Sequence, residues 1–281
     1  MFSRVAVIGV GFMGGSFALA CKEATGCEVF GVDINPLAIN RAKELMVIEE
    51  GSTDIRDMKD FEPELVVLAT PVRTFKGIGE ALKELLPSSC LVSDLGSVKG
   101  HLVYMLEELL GNRFVGGHPI AGTEKAGVEN AFKDLFKGKR FILTPTEKTD
   151  PEAKEKVRSL WKLIGSVVEE MDPYFHDFVF GAVSHLPHAV AFALMEAIER
   201  MSKDIDLFKY SGGGFKDFTR IAGSDPIMWR DIFLENSKNV LQAIDVFVKA
   251  LMELRSLIED SSEEKLTAYL SKASMRRREI G

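Results

Sequence analysis

Short apolar runs alternate with helix-spaced stretches through the first 171 residues. Val5-Ala6-Val7-Ile8 is apolar at four consecutive positions, as a strand buried on both faces requires. "GVGFMGGSFALACKEA" then changes to helical spacing at Phe12, Phe17, Leu19 and Ala20. "CEVFGVD" predicts a strand closing at Asp33, and "ELVVLAT" at 64–70 one closing at Thr70-Pro71-Val72. "SCLVSDLGSVKG" at 89–100 predicts a strand that runs into a polar loop. Pro71 bars an uninterrupted helix at that strand end, and residues 74–86 resume the helical pattern. "RFVGGHP", "KRFILTP" and "GSVVEEM" supply three more short strands, the last after a helix carrying Val157, Leu160, Trp161 and Ile164. Alternating units of this kind predict an α/β layer domain over residues 1–171 with a mainly parallel sheet.

Beyond Asp172-Pro173 strand-like alternation is scarce. Apolar groups recur at helix spacing through "FVFGAVSHLPHAVAFALMEAIERM", "IMWRDIFLENSKNVLQAIDVFVKALMELRSLI" and "EKLTAYLSKAS". The expectation is an all-helical second domain over 172–281, broken at "SGGGF" (211–215) and "GSDP" (223–226). Its large apolar faces either pack within the chain or, on elements this long, form a homodimer interface. The terminal "RRRE" reads as an exposed helix end, and no internal repeat or low-complexity tract stands out.

Composition changes this picture mainly by exclusion. With 281 residues and 46% hydrophobic content the chain can build one large or two ordinary cores. A formal net charge of -7 argues against a general nucleic-acid or anionic-membrane binder, while leaving room for a local basic pocket. Cys21, Cys27 and Cys90 have no paired zinc spacing and are expected to be reduced thiols. The first apolar stretch leads straight into glycines and no uninterrupted apolar run reaches membrane-spanning length, so a soluble cytoplasmic protein is expected.

The first strand-to-helix turn carries specific chemistry. Gly9 is placed to make the tight turn, Gly11 to leave room for a dinucleotide pyrophosphate, and Gly14 to let the helix approach the sheet. Phe12 and Met13 open the helix whose early N–H groups would face the phosphates. Asp33 ends the next strand 19 residues after Gly14, where its carboxylate can accept bonds from both adenine-ribose hydroxyls and repel an added 2′-phosphate. Its neighbours Ile34, Asn35 and Pro36 include no arginine, so NAD is the expected cofactor of a Rossmann-type domain. Thr70 and Pro71 end a neighbouring strand on the same crevice.

"GGHPIAGTEKAG" at 116–127 places His118 after a strand, with two glycines before it and Pro119 restricting the exit. Histidine exchanges protons near neutral pH, and the glycines allow close backbone approach. Ser97, in the neighbouring strand-end loop "DLGSVKG", is placed by topology to orient the imidazole or to bridge it to the cofactor side.

With "GVGFMGGS", "DLGSVKG", "GGHPIAGTEKAG", "SHLPHAVAFAL" and "GGGFKDFTRIAGSDPIMWRDI" in view, the chain resembles the prephenate dehydrogenases of tyrosine biosynthesis over nearly its whole length. The resemblance implies that His118 is the catalytic histidine, Ser97 its associated serine, and Arg220 the arginine that holds a substrate carboxylate. It also implies an intertwined helical dimer and a stand-alone catalytic chain. Lys216 and Asp217 either shape the charged entrance or make solvated helix-end contacts, while Thr123 and Glu124 are placed to add substrate hydrogen bonds and control access. A carboxylate facing a dianion is unfavourable unless paired, so Glu124 is read as an entrance or regulatory group. Trp229 belongs either to the substrate crevice or to the helical core.

The resemblance implies prephenate as substrate, with arogenate or both as alternatives, and tyrosine as a candidate feedback inhibitor. A β-hydroxyacid dehydrogenase or a non-catalytic NAD-binding regulator fits the nucleotide motif but not the later ones. His176, His185 and His188, with Asp172 and Asp177, raise the question of a metal. A continuous helix turns about 100° per residue, which sets His176 and His185 about 180° apart, and no metal site is expected.

Overall fold

The computed structural model describes residues 1–203 and 205–280; Asp204 and Gly281, both inside the segment expected to be helical, lie outside the described residues. The chain begins with β1 (Arg4–Ile8), α1 (Phe12–Thr25), β2 (Glu28–Val32), α2 (Pro36–Glu44), β3 (Glu50–Ser52), α3 (Met58–Phe61) and β4 (Leu65–Leu68). It continues through α4 (Phe75–Leu85), β5 (Leu91–Asp94), α5 (Gly100–Leu110) and β6 (Phe114–Val115). The six strands form one parallel sheet in the order β3-β2-β1-β4-β5-β6. The order reverses between β1 and β4, and such a switch point opens a crevice at the carboxyl ends of the strands.

Period-two alternation explains the two cores. Val5 and Val7 of β1 and Leu65 and Val67 of β4 enter one cluster, whereas Ala6, Ile8, Val66 and Leu68 enter the other. Both strands are buried on both faces, which is why their sequences are continuously apolar.

The remaining strands make a second, smaller sheet, where the sequence had suggested one continuing layer. β7 (Gly117–Pro119) pairs antiparallel with β8 (Arg140–Leu143), which pairs parallel with β9 (Val167–Glu170) after α6 (Pro151–Ile164). The segment "RFVGGHP" is thus two strands in two sheets, turning at its glycines. A Cβ on Gly116 would lie 2.5 Å from Thr144 Oγ1, and one on Gly117 would lie 2.3 Å from the Phe141 ring. Trp161 of α6 joins the two sheets. It stacks on Phe141 at 3.8 Å between ring centres and meets Phe17 of α1 at 5.5 Å.

Past β9 the described structure is helical: α7 (Pro173–Phe180), a π turn at Gly181–His185, α8 (Leu186–Met201), α9 (Gly213–Thr219), α10 (Pro226–Glu235), α11 (Ser237–Glu259) and α12 (Glu263–Glu279). Asp172 caps α7 by accepting the Tyr174 and Phe175 N–H groups, each at 2.9 Å. The stretch Pro173–Met201 is long and apolar enough to cross a membrane by length and composition. Here it packs against α5 and α11, and it carries the buried polar side chains His176, Asp177 and His185. Val246, Leu251, Met252 and Ile258 of α11 stand exposed, an apolar surface larger than a lone helix needs. Cys21, Cys27 and Cys90 are all buried free thiols.

Candidate active site

The crevice above β1 and β4 has the shape its glycines imply. Gly9 adopts φ +97°, donates its N–H to Val32 O at 2.7 Å, and has no room for a Cβ, which would lie 2.6 Å from Ala69 O. At Gly14 a Cβ would fall 2.0 Å from Gly9 O, so only glycine lets α1 sit this close to the strand. Gly11 is the opposite case, since a Cβ there meets nothing within 4 Å. Gly11 also caps α1 without any side-chain hydrogen bond, leaving the first N–H groups of the helix for a ligand anion. The open cradle fits a dinucleotide pyrophosphate. Phe12 is buried and Met13 half-buried in the core, so these two bring backbone rather than side chains to the turn.

Asp33 is tied into the same corner. Its Oδ2 accepts the Val10 N–H and its Oδ1 the Asn35 N–H, both at 2.9 Å. Each oxygen keeps a second acceptor direction. Opposite, Thr74 donates to Pro71 O at 2.7 Å, so the Thr70 hydroxyl, 2.7 Å from Thr74 Oγ1, is the donor of that pair.

His118 lies at the same edge of the main sheet, because Gly117 N–H donates to Asp94 Oδ1 at the end of β5 over 3.0 Å. Lys99 secures the other side, pairing its ammonium with Asp94 and donating to Gly117 O at 2.9 Å. His118 is 9% exposed. Its Nδ1 is 2.8 Å from His176 Nε2, and His176 Nδ1 is 2.9 Å from Asp177 Oδ1, which also accepts the Lys99 N–H at 2.8 Å. Phe180 packs on both rings, 5.0 Å from His118 and 4.5 Å from His176.

Burial dominates the charges here. It holds His118 and His176 well below the ordinary imidazole range; His176, Lys99 and His185 press the same way on His118, as do Lys99 and His185 on His176. Burial also raises Asp177 to about 6 against the pull of the Lys99 N–H and ammonium, and lowers His185 to about 4. Burial lowers Lys99 as well, with the Asp94 carboxylate acting against it. His118 is therefore a neutral base near pH 7.

The Nδ1 of His118 is held by His176; Ser97 is half-buried in the β5–α5 loop and its hydroxyl makes no hydrogen bond among the described residues. The helix carrying His176 and His185 runs on from Pro173 to Met201 but is not uniformly α. The π turn at Gly181–His185 re-phases it, and both rings are buried on the inner side. His185 there pairs through Nδ1 with Asn236 Nδ2 at 3.0 Å. Among the described residues no group of three or more His, Cys, Asp or Glu is arranged to hold a metal ion.

The second end of the candidate site is charged and open. Arg220, at the start of a 3-10 turn packed against α8, donates to Glu124 Oε2 at 2.6 Å. The Glu124 carboxyl lies below its usual range, through its own backbone N–H first and Arg220 second. Thr123, Lys216 and Asp217 are exposed; Thr123 Oγ1 accepts the Lys125 N–H at 3.2 Å, and neither Lys216 nor Asp217 makes an ion pair among the described residues. Trp229 is buried, stacked on His188 at 3.6 Å, and its indole N–H has no partner among the described residues. His176 and Asp177 were missed as site residues. Their signal, a histidine and an aspartate just inside a capped helix, names no target until the fold brings them across 58 residues to His118.

A doubly wound nucleotide-binding layer whose crevice ends at a buried neutral histidine, closed by a helical domain, defines a nicotinamide-type dehydrogenase. Comparison with known proteins makes this specific. Residues 17–170 match the family model described as prephenate dehydrogenase, nucleotide-binding domain, and residues 172–272 the one described as prephenate dehydrogenase, dimerization domain. The chain belongs to the prephenate dehydrogenase family and is an enzyme of that NAD-dependent oxidoreductase group. It is 36% identical over 279 residues to a prephenate dehydrogenase of Bacillus subtilis, covering 97% of this chain and 75% of that one. It is 33% identical to a cyclohexadienyl dehydrogenase of Zymomonas mobilis, covering 99% and 96%. Among solved structures, prephenate dehydrogenase from Aquifex aeolicus in complex with hydroxyphenyl propionate and NAD+ superposes with a TM-score of 0.96 at 54% identity, over 100% of this chain and 99% of that one.

Proposed function

We propose that the enzyme oxidatively decarboxylates prephenate to 4-hydroxyphenylpyruvate and carbon dioxide with NAD+, in tyrosine biosynthesis. The observation that carries this reading is the buried, neutral His118, anchored beside the carboxyl end of β5 in a chain that contains the open Gly11 cradle. Residues 1–171 hold the cofactor and 172–281 close the substrate side and pair two subunits. Bound NAD+ supplies the hydride acceptor. Asp33 receives the adenine ribose, with no adjacent arginine to welcome a 2′-phosphate.

His118 takes the proton of the C4 hydroxyl as the hydride leaves C4 and the ring carboxylate departs as carbon dioxide. The electrons of the broken C–C bond aromatise the ring. The phenol oxygen then needs a proton, so His118 can hold the one it received and return it without net release. In this reading Ser97, whose hydroxyl makes no other hydrogen bond among the described residues, would bridge His118 to the cofactor side. Arg220 meets a substrate carboxylate with two parallel N–H donors, displacing Glu124. Thr123, Lys216 and Asp217 form the entrance, and Trp229 supports it from within the helical core.

NAD+ reduction by the purified protein, with prephenate and L-arogenate in parallel, tests this reading. Prephenate-dependent reduction is the expected result, and no reduction with either substrate, while NAD binds, would sink it. The Zymomonas relative is named a cyclohexadienyl dehydrogenase, which favours dual specificity as the second reading; the ratio of the two kcat/KM values separates them. Tyrosine, close in shape to the aromatic product, acts in this reading as feedback inhibitor, and unchanged turnover in its presence would reject that part. The enzyme works as a cytoplasmic homodimer.

A further inference from the structure

We infer that His176 and Asp177 are a positioning pair that fixes the tautomer of His118, making Nδ1 its donor and Nε2 its only acceptor. This rests on the reading of His118 as the base that meets the substrate hydroxyl.

The inference follows the hydrogen atoms along the chain of contacts. Asp177 Oδ1 accepts the Lys99 N–H at 2.8 Å at the N-terminus of α5, a helix with no side-chain cap of its own. Gly100 makes the approach possible, since a Cβ there would lie 2.5 Å from Asp177 Oδ2. A carboxylate held by helix N-terminal N–H groups is stabilised as an acceptor. His176 Nδ1, 2.9 Å from Oδ1, must then carry a hydrogen, and in a neutral ring that leaves His176 Nε2 as a lone pair. The nitrogen 2.8 Å away, His118 Nδ1, must in turn be the donor. His118 Nε2 is left with the lone pair that a general base needs. When Nε2 takes the substrate's O–H proton, the O–H bond breaks, an N–H bond forms, and Nδ1–H still donates to His176.

The chain can also run backwards. A protonated Asp177 would donate to His176 Nδ1, His176 Nε2–H would donate to His118 Nδ1, and His118 Nε2 would carry the hydrogen, with no base left. Three ionisable groups act on the Asp177 carboxyl: Lys99 from the β5–α5 loop, His176 from its own helix and His185 from the π turn. Burial sets it at about 6, so the forward direction holds above about pH 6 and is lost below it. The kcat profile is expected to show an acid limb there.

The deciding experiment is nitrogen NMR of the intact enzyme with labelled histidine, the five histidines being assigned by single substitutions. The expected spectrum has the His118 hydrogen on Nδ1 at neutral pH and moves toward the Nε2 tautomer as the solution is acidified. A neutral-pH hydrogen on Nε2 would overturn the inference. Kinetics give the second readout. His176→Phe keeps the ring volume but removes the acceptor, and should lower kcat by about 10²-fold or more with little change in either KM. His176→Gln retains an amide oxygen near the Nε2 position and should restore most of the loss. A folded His176→Phe enzyme with undiminished kcat would overturn the pair. His118→Asn with undiminished kcat would overturn the base itself, which separates the two failures.

Discussion

His118, Arg220 and Glu124 are each matched by a partner that the expected chemistry must either keep or displace. His118→Asn should retain NAD affinity and lose about 10²-fold or more in kcat, measured by cofactor titration and steady-state kinetics. Arg220 and Glu124 form one contact and should respond in opposite directions. Arg220→Gln raises the prephenate KM by removing the two-pronged donor, whereas Glu124→Gln lowers it a few-fold by removing the competing carboxylate. Equal shifts in the same direction would refute competition. In the sequence, His118 and Glu124 stood out through the glycine-, proline- and charge-rich loop that carries them, and Arg220 through the resemblance to the family. The sequence did not point to His176 and Asp177 as partners of His118. That contact spans 58 residues, and no local pattern around either residue marks it.

At the scale of elements, the strand-turn-helix around Gly9 separates two kinds of glycine. A Cβ at Gly14 would collide with Gly9 O at 2.0 Å, so Gly14→Ala must push α1 off the sheet. The expected cost is about 1–3 kcal/mol in chemical denaturation, together with weakened NAD binding. A Cβ at Gly11 meets nothing within 4 Å, and its φ of −90° suits alanine. Gly11→Ala should therefore keep stability within about 0.5 kcal/mol while NAD affinity falls about tenfold, the new methyl occupying ligand space. Calorimetric titration paired with unfolding curves distinguishes the two; a destabilised Gly11→Ala would show that the cradle is structural. This turn and Asp33 were legible from spacing, since local sterics fix them. The split of "RFVGGHP" between two sheets was not, because the close packing of Gly116 on Thr144 and of Gly117 on Phe141 involves residues far along the chain. β3, only three residues with a half-exposed face, gave no apolar run to read.

At the scale of the whole molecule, placing neutral imidazoles in the interior makes stability depend on pH. Burial depresses His118, His176 and His185, the last from the ordinary 6.5 to about 4. An unfolded chain binds protons at these groups below about pH 6.5 while the folded chain does not, so their contribution is complete above that pH and is lost as pH falls toward 4. For His185 alone the shift corresponds to roughly 3 kcal/mol, at about 1.4 kcal/mol per pKa unit. Asp177 works the other way, because its raised value of about 6 lets the folded chain bind a proton that the unfolded one binds only near 4. The depressed imidazoles, His188 among them, outweigh one raised carboxyl. The urea midpoint should therefore fall as pH drops from about 7.5 to about 5, and replacing His185 with the uncharged Gln should flatten that fall by about one proton's slope. α7, the π turn and α8 carry His176, Asp177 and His185 and lead into the helices with the exposed apolar faces, so acid unfolding should also release the proposed dimer. Sedimentation at the two pH values is the check: dissociation that precedes loss of helical signal fits this coupling, and a dimer intact at pH 5 with an unchanged urea midpoint contradicts it.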